Sequence, residues 1–141
     1  MKYDTSSMKQ IKQYIVNTFT DKLFSGNPAA ICLIEKWLPD ELMMKIAMEN
    51  KLSETAFVVR ENEQYKLRWF TPKMEIDLCG HATLAATYVI TSFVEPNKTT
   101  ISFHTRSGVL KATRKDNLYY IDLPAFPLKF DRYATLNCKK Q

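Results

Sequence analysis

The sequence predicts an α+β domain in which strands enclose one apolar helix, and three observations lead there. Segments of strand character recur from Ile11–Phe19 to Asn117–Leu123, separated by turn residues. A single amphipathic helix is signalled between Pro39 and Asn50. From Leu78 to Val94 no side chain carries a formal charge if His81 is neutral, so a helix starting near Gly80 and reaching about Phe93 has no broad polar face. Such a helix belongs inside something. It is rich in Ala and Thr and falls short of the ~20 strongly apolar residues a bilayer requires, which favours a buried soluble helix over a membrane span.

Met1–Gln10 is polar and charged, without an apolar segment or cleavage site, and reads as an irregular lead with no signal peptide. Ile11–Phe19 is the first strand. Thr20–Pro28 is a loop in which Gly26 and Asn27 tolerate positive φ while Pro28 pushes Asn27 toward extended backbone. Ala29–Ile34 is apolar without alternation, as in a strand covered on both faces. Pro39, Asp40 and Glu41 suit the first turn of the next helix, and Leu42, Met43, Ile46 and Ala47 form its apolar side. Leu52–Arg60 is the third strand, followed by a polar turn at Glu61–Gln64 and a fourth strand through Leu67–Phe70. Thr71 and Pro72 break that strand, and a loop carries Glu75 and Asp77 to the apolar helix. Thr99–Thr105, Ser107-Gly108 and Val109–Arg114 read as a hairpin, and Asp116-Asn117 turns the chain into the last strand. Residues 11–123 form one domain with no interior linker, and 124–141 read as an irregular basic tail.

Composition narrows the function. With 45% hydrophobic and 25% charged residues the chain is an ordinary globular one. Its net charge of +5 is scattered toward the ends rather than gathered on a face, and no stacking motif accompanies it, which argues against nucleic-acid binding. Cys32, Cys79 and Cys138 are odd in number and widely spaced, with neither a disulfide framework nor metal-ligand spacing. A reducing cytoplasm is the simplest compartment.

Two places can carry chemistry. The first N–H groups of the helix at Gly80 have no internal partners and hold partial positive charge, so they can bind a carboxylate or phosphate. Gly80 would let a ligand approach the backbone, Cys79 would be acidified by the helix field, and His81 can donate, accept or relay a proton. The residues alone leave open that Gly80 only permits a turn while Cys79 and His81 pack. The second place is Glu54. Alternation puts Ser53, Thr55, Phe57 and Val59 on one face and Glu54, Ala56 and Val58 on the other, so the carboxylate shares a face with small apolar residues. It is paired, protonated, facing a cavity, or at an edge where it reaches water.

The segments FTDKLFSGNPAAICLIE, LSETAFVV, LRWFTPKMEIDLCGHATLAAT and ISFHTRSGVL occur in an order and spacing that resembles the phenazine-biosynthesis PhzF-like isomerase family. The resemblance spans residues 14 to about 123 and implies one half of a diaminopimelate epimerase-like fold, a curved, mostly antiparallel sheet wrapped around a central helix. It implies an isomerase that moves protons without metal or organic cofactor. Glu54 matches the family's acid/base, Gly80 and His81 match the wall that holds a substrate carboxylate, and Asn27 lies in a motif near that cleft. Family chains are roughly twice this length, so the second domain is expected to be absent.

An open inner face must then be covered, which implies a homodimer or a separate second-half chain. Three functions follow: a glutamate-dependent isomerase of a small carboxylate-bearing substrate; an inactive half that binds small anions or serves as a subunit; and, ranked below the first, thiol-based racemisation through Cys79. The identity of the substrate does not follow from the resemblance.

Overall fold

The computed structural model describes residues 10–18 and 26–123, together with the backbone of residues 133–134. Most of the expected amino-terminal lead, most of the 20–28 loop, Cys138 and most of the basic tail lie outside the described residues.

Among the described residues two helices and nine strands follow in the order β1 (Lys12–Thr18), β2 (Asn27–Ile34), α1 (Asp40–Asn50), β3 (Glu54–Glu61), β4 (Gln64–Phe70), β5 (Glu75–Ile76), α2 (Gly80–Val89), β6 (Thr100–Thr105), β7 (Gly108–Lys115), β8 (Leu118–Asp122) and β9 (Tyr133–Ala134). A π-helical turn at Ile90–Val94 continues α2. All nine strands belong to one sheet, ordered β1-β2-β3-β4-β6-β7-β8-β9, with β5 paired to β4. The β2–β3 and β4–β6 pairs are parallel and the others antiparallel. Both parallel joints require a crossover, and the two helices provide them: α1 between β2 and β3, α2 between β4 and β6.

The sheet curls around α2, which packs against β1, β2 and β3 from one half and β7 and β8 from the other. Every residue from Ala82 to Val89 is buried, as are Ile90 and Thr91. The absence of a polar face is therefore answered by strands on all sides, as expected. Enclosure of the threonines needs a further device. The Thr83 hydroxyl donates to the Cys79 carbonyl at 2.7 Å, Thr87 to Thr83 at 2.8 Å and Thr91 to Thr87 at 2.8 Å, so each satisfies its hydroxyl inside the helix itself. Phe93 departs from the expectation of immersion. The π turn carries it outward to 56% exposure, where it stacks on Tyr14 with ring centroids 4.9 Å apart.

On the convex side α1 covers a smaller core of Cys32, Met43, Ala47, Phe57 and Phe70. Strand β2 thus feeds both layers: Ala29 and Ile31 join the α2 core, while Cys32 joins the α1 core. This explains its unbroken apolar run. Pro39 stands as N-cap, one position before the helix proper, and Lys51 closes α1 in the left-handed region at φ 56°. Asp116 and Asn117 both have positive φ, as a tight turn between β7 and β8 demands. The loop expected around Glu75 contains the two paired residues of β5, a segment too short for any periodicity to reveal. Tyr133–Ala134 likewise adds a two-residue strand on β8 within the stretch expected to be irregular.

Leu84 is fully buried at the centre of the α2 core. Leu84→Ala should lower unfolding free energy by about 2–5 kcal/mol, checked by denaturant unfolding, with far-UV circular dichroism retained.

Candidate active site

The carboxyl-terminal end of β4 and the start of α2 are joined by a short loop, and that loop delivers Cys79, Gly80 and His81 to one rim of the curled sheet. Glu54, the first residue of β3, arrives at the same rim from the adjacent strands. Its neighbours on the strand show which way it points: Ala56 and Val58 belong to the α2 core, whereas Phe57 packs under α1. Glu54 therefore faces the helix, as alternation predicted.

Its side chain is only 16% exposed and that of His81 11%. His81 Nε2 lies 2.8 Å from Glu54 Oε2, although the approach is off the line of a well-directed hydrogen bond. The Cys79 thiol sits 3.3 Å from the opposite ring nitrogen, Nδ1. Burial raises the Glu54 carboxyl above its ordinary value, only partly offset by hydrogen bonding to the Cys79 side chain. Burial lowers the imidazole of His81, which favours its neutral form. The thiol is pushed up to about 12, chiefly by burial and despite the backbone N–H of Ala82. This corrects the expectation that the helix field acidifies Cys79: loss of water around the sulfur outweighs the aligned amides, and the nearby Glu54 charge adds to the rise.

Gly80 opens α2, and Cys79 is its N-cap in extended backbone at φ −147° and ψ 106° without a side-chain capping bond. The first turn holds no acidic residue, so its field is left to groups outside the helix. Asn27 begins β2 two residues before Ala29, the register partner of Glu54. It occupies the same rim and inner face, but its side-chain oxygen accepts a hydrogen bond from Ser53 at 3.3 Å rather than joining the cluster.

One donor atom from each of Glu54, Cys79 and His81 falls within a 4.8 Å span, which invites comparison with a metal centre. A tetrahedral ion needs its donors to converge on one point. Here the imidazole turns one nitrogen to the thiol and the other to the carboxylate, and the thiol also bonds the carboxylate, so the two ring nitrogens face different partners rather than one common point. That arrangement suits passing a proton better than clasping a cation. The cluster's anchorage was not anticipated. Trp69 Nε1 donates to the Thr83 hydroxyl at 3.2 Å, which in turn donates to the carbonyl of Cys79. No one-dimensional pattern links Trp69 to Cys79.

The sequence profile of the family described as phenazine biosynthesis-like protein, PhzC-PhzF, matches residues 16–127. The chain belongs to the PhzF-like family. It is 47% identical over 116 residues to an uncharacterized isomerase of Pseudomonas aeruginosa, an alignment covering 82% of this chain and 44% of the relative. The crystal structure of a phenazine biosynthesis PhzC/PhzF protein from Clostridium difficile superposes with a TM-score of 0.77 at 57% identity, over 79% of this chain and 43% of that one. A hydroxyproline epimerase of Agrobacterium vitis shares the fold alone, at 9% identity and a TM-score of 0.57, over 82% of this chain and 42% of that one. The curled sheet around α2 is accordingly the half-barrel of diaminopimelate epimerase-like proteins. The chain spans less than half the length of the relatives it matches.

The pH dependence of stability follows from the raised Glu54 carboxyl. A raised carboxyl pKa favours the folded state while the group is protonated, and that advantage is lost as pH rises through the folded value. Glu54→Gln should therefore unfold at higher denaturant than the parent at about pH 8, with the gap closing as pH falls toward about 4. Paired denaturation curves across this range check it.

Proposed function

We propose that this PhzF-like chain contributes the acid/base side of an isomerase site, in which Glu54 takes up and returns a proton on carbon of a small carboxylate-bearing molecule. The observation that carries the reading is the half-buried Glu54 carboxyl, 2.8 Å from His81 at the amino-terminal end of α2. A carboxyl raised by burial is matched to proton transfer near neutral pH more closely than a solvated one. The substrate carboxylate docks on the backbone N–H groups beginning at Gly80, where the helix dipole favours negative charge. Neutral His81 positions or relays the proton. The chemistry proposed needs neither metal nor organic cofactor. Burial pushes the Cys79 thiol up to about 12, so it stays protonated near neutral pH and offers no thiolate to act as a base, which ranks racemisation by sulfur below the glutamate route.

A site of this kind needs an opposing wall. The chain covers only 44% of the P. aeruginosa isomerase, so that wall comes from further polypeptide: a second copy in a homodimer, a separate second-half chain, or a continuation of this one. The same coverage supports the second reading, an anion-binding subunit without chemistry of its own. Cys32 and Cys79 are free thiols, in keeping with a reducing cytoplasm as the proposed compartment. Among the described residues no helix is long and apolar enough to cross a membrane.

Deuterium incorporation into a panel of small carboxylic acids, followed by NMR in D2O, distinguishes the readings. The isomerase predicts exchange into at least one acid, reduced at least about a hundredfold in Glu54→Gln with the fold intact. Exchange that survives Glu54→Gln but is lost in Cys79→Ala would transfer the role to the thiol. Binding without exchange in any assembly would leave the anion-binding subunit. Sedimentation equilibrium, which reads mass directly, should give twice the chain mass if a second copy supplies the wall.

A further inference from the structure

The loop that ends at Cys79 is held from the convex side by an ion network that the site chemistry does not use. Glu75, in β5, receives two parallel hydrogen bonds from Arg68, Nε to Oε1 at 2.7 Å and Nη2 to Oε2 at 2.8 Å. A second arginine, Arg106 in the turn between β6 and β7, reaches Glu75 Oε2 at 3.2 Å and Asp77 Oδ1 at 3.8 Å. From the same turn the Ser107 hydroxyl donates to the Asp77 carbonyl at 2.6 Å. The Glu75 and Arg68 side chains are only 14% and 16% exposed, so solvent screens this pair far less than the surface pairs elsewhere.

Arg68 is itself fixed. Its guanidinium lies 5.3 Å from the ring centroids of both Trp37 and Phe70, and it bonds Asp40 at the start of α1 at 3.0 Å. At the other end of the loop, Thr71 Oγ1 accepts from the backbone N–H groups of Lys73 and Met74. The loop therefore leaves β4 in a closed turn, is gripped at Glu75 and Asp77, and only two residues later presents Cys79. Backbone pairing of β5 with β4 supplies just two residues of register, Trp69 with Ile76 and Phe70 with Glu75. Side chains carry the remainder.

We infer that Glu75, clamped between Arg68 and Arg106, is a positioning residue that sets where Cys79, Gly80 and His81 stand relative to Glu54. It touches none of the reacting groups; it acts through the loop. The inference rests on the reading of the helix start as the substrate site, but its first readouts need no substrate and can fail independently of that reading.

The test compares Glu75→Gln, which keeps shape and removes charge, with Glu75→Asp, which keeps charge on a shorter side chain. Iodoacetamide alkylation of Cys79 is followed by peptide mass spectrometry, and His81 ring resonances are followed by 15N-edited NMR. Glu75→Gln should speed Cys79 alkylation about tenfold and displace the His81 resonances at unchanged circular dichroism, with Glu75→Asp recovering part of both. Where an exchange substrate is in hand, kcat should fall in Glu75→Gln more than KM rises. Unchanged alkylation and unchanged His81 resonances in a folded Glu75→Gln would overturn the proposal. If Glu75→Gln fails to fold, Arg106→Gln and Ser107→Ala cut the same clamp from the exposed turn, and the same two readouts decide it. Loss of deuterium exchange with these local readouts unmoved would count against Glu75 and leave the glutamate mechanism standing.

Discussion

A helix that can meet water on no side forces the chain to build walls around it, and most of this fold is that wall. From Leu78 to Val94 there is no charged side chain apart from a neutral His81, and the strands answer by curling until β1 to β3 and β7 to β8 all touch α2. The helix tolerates enclosure because its polar groups are satisfied internally: backbone bonds run along the helix, and three threonine hydroxyls bond back to carbonyls one turn earlier. Its ends are the exception. The first turn has N–H groups that the helix cannot satisfy, and they lie at the rim where the sheet opens.

Burial and chemistry therefore meet at that rim for one reason. The low-dielectric surroundings needed by α2 extend to Glu54, raise its carboxyl and favour the neutral form of His81. The same surroundings suppress the thiolate at Cys79. Glu54 meets the helix start at two points, the Cys79 side chain and the His81 ring. The Trp69–Thr83–Cys79 hydrogen-bond chain from inside and the Arg68–Glu75–Arg106 clamp from outside hold the same few residues.

Much of this was legible in one dimension, and the misses have physical causes. Strands β1 to β4, the hairpin of β6 and β7, and β8 follow from apolar runs and turn residues, because each must bury one face and each turn needs particular φ values. Glu54 was legible from period-two alternation, and its inward direction is what the packing of Ala56 and Val58 confirms. Strand β5 was not, since two residues carry no period. The raised thiol was not, because the sign of its shift depends on whether desolvation or aligned amides dominates, a quantity set by neighbours distant in sequence. Nor was the outward swing of Phe93, which depends on a π turn at the helix end rather than on the composition of the helix.

The linear order of residues already determined that α2 had to be enclosed, that Glu54 shared a strand face with Ala56 and Val58, and that Cys79-Gly80-His81 opened the helix, because these follow from local periodicity and from which side chains can leave water. Only the folded chain decided that Glu54 and His81 meet at 2.8 Å, that the imidazole links a carboxyl to a thiol through opposite nitrogens, and that Arg68 and Arg106 converge on Glu75. Those distances join strands and turns far apart along the backbone, and the curl of the sheet around the helix is what closes them.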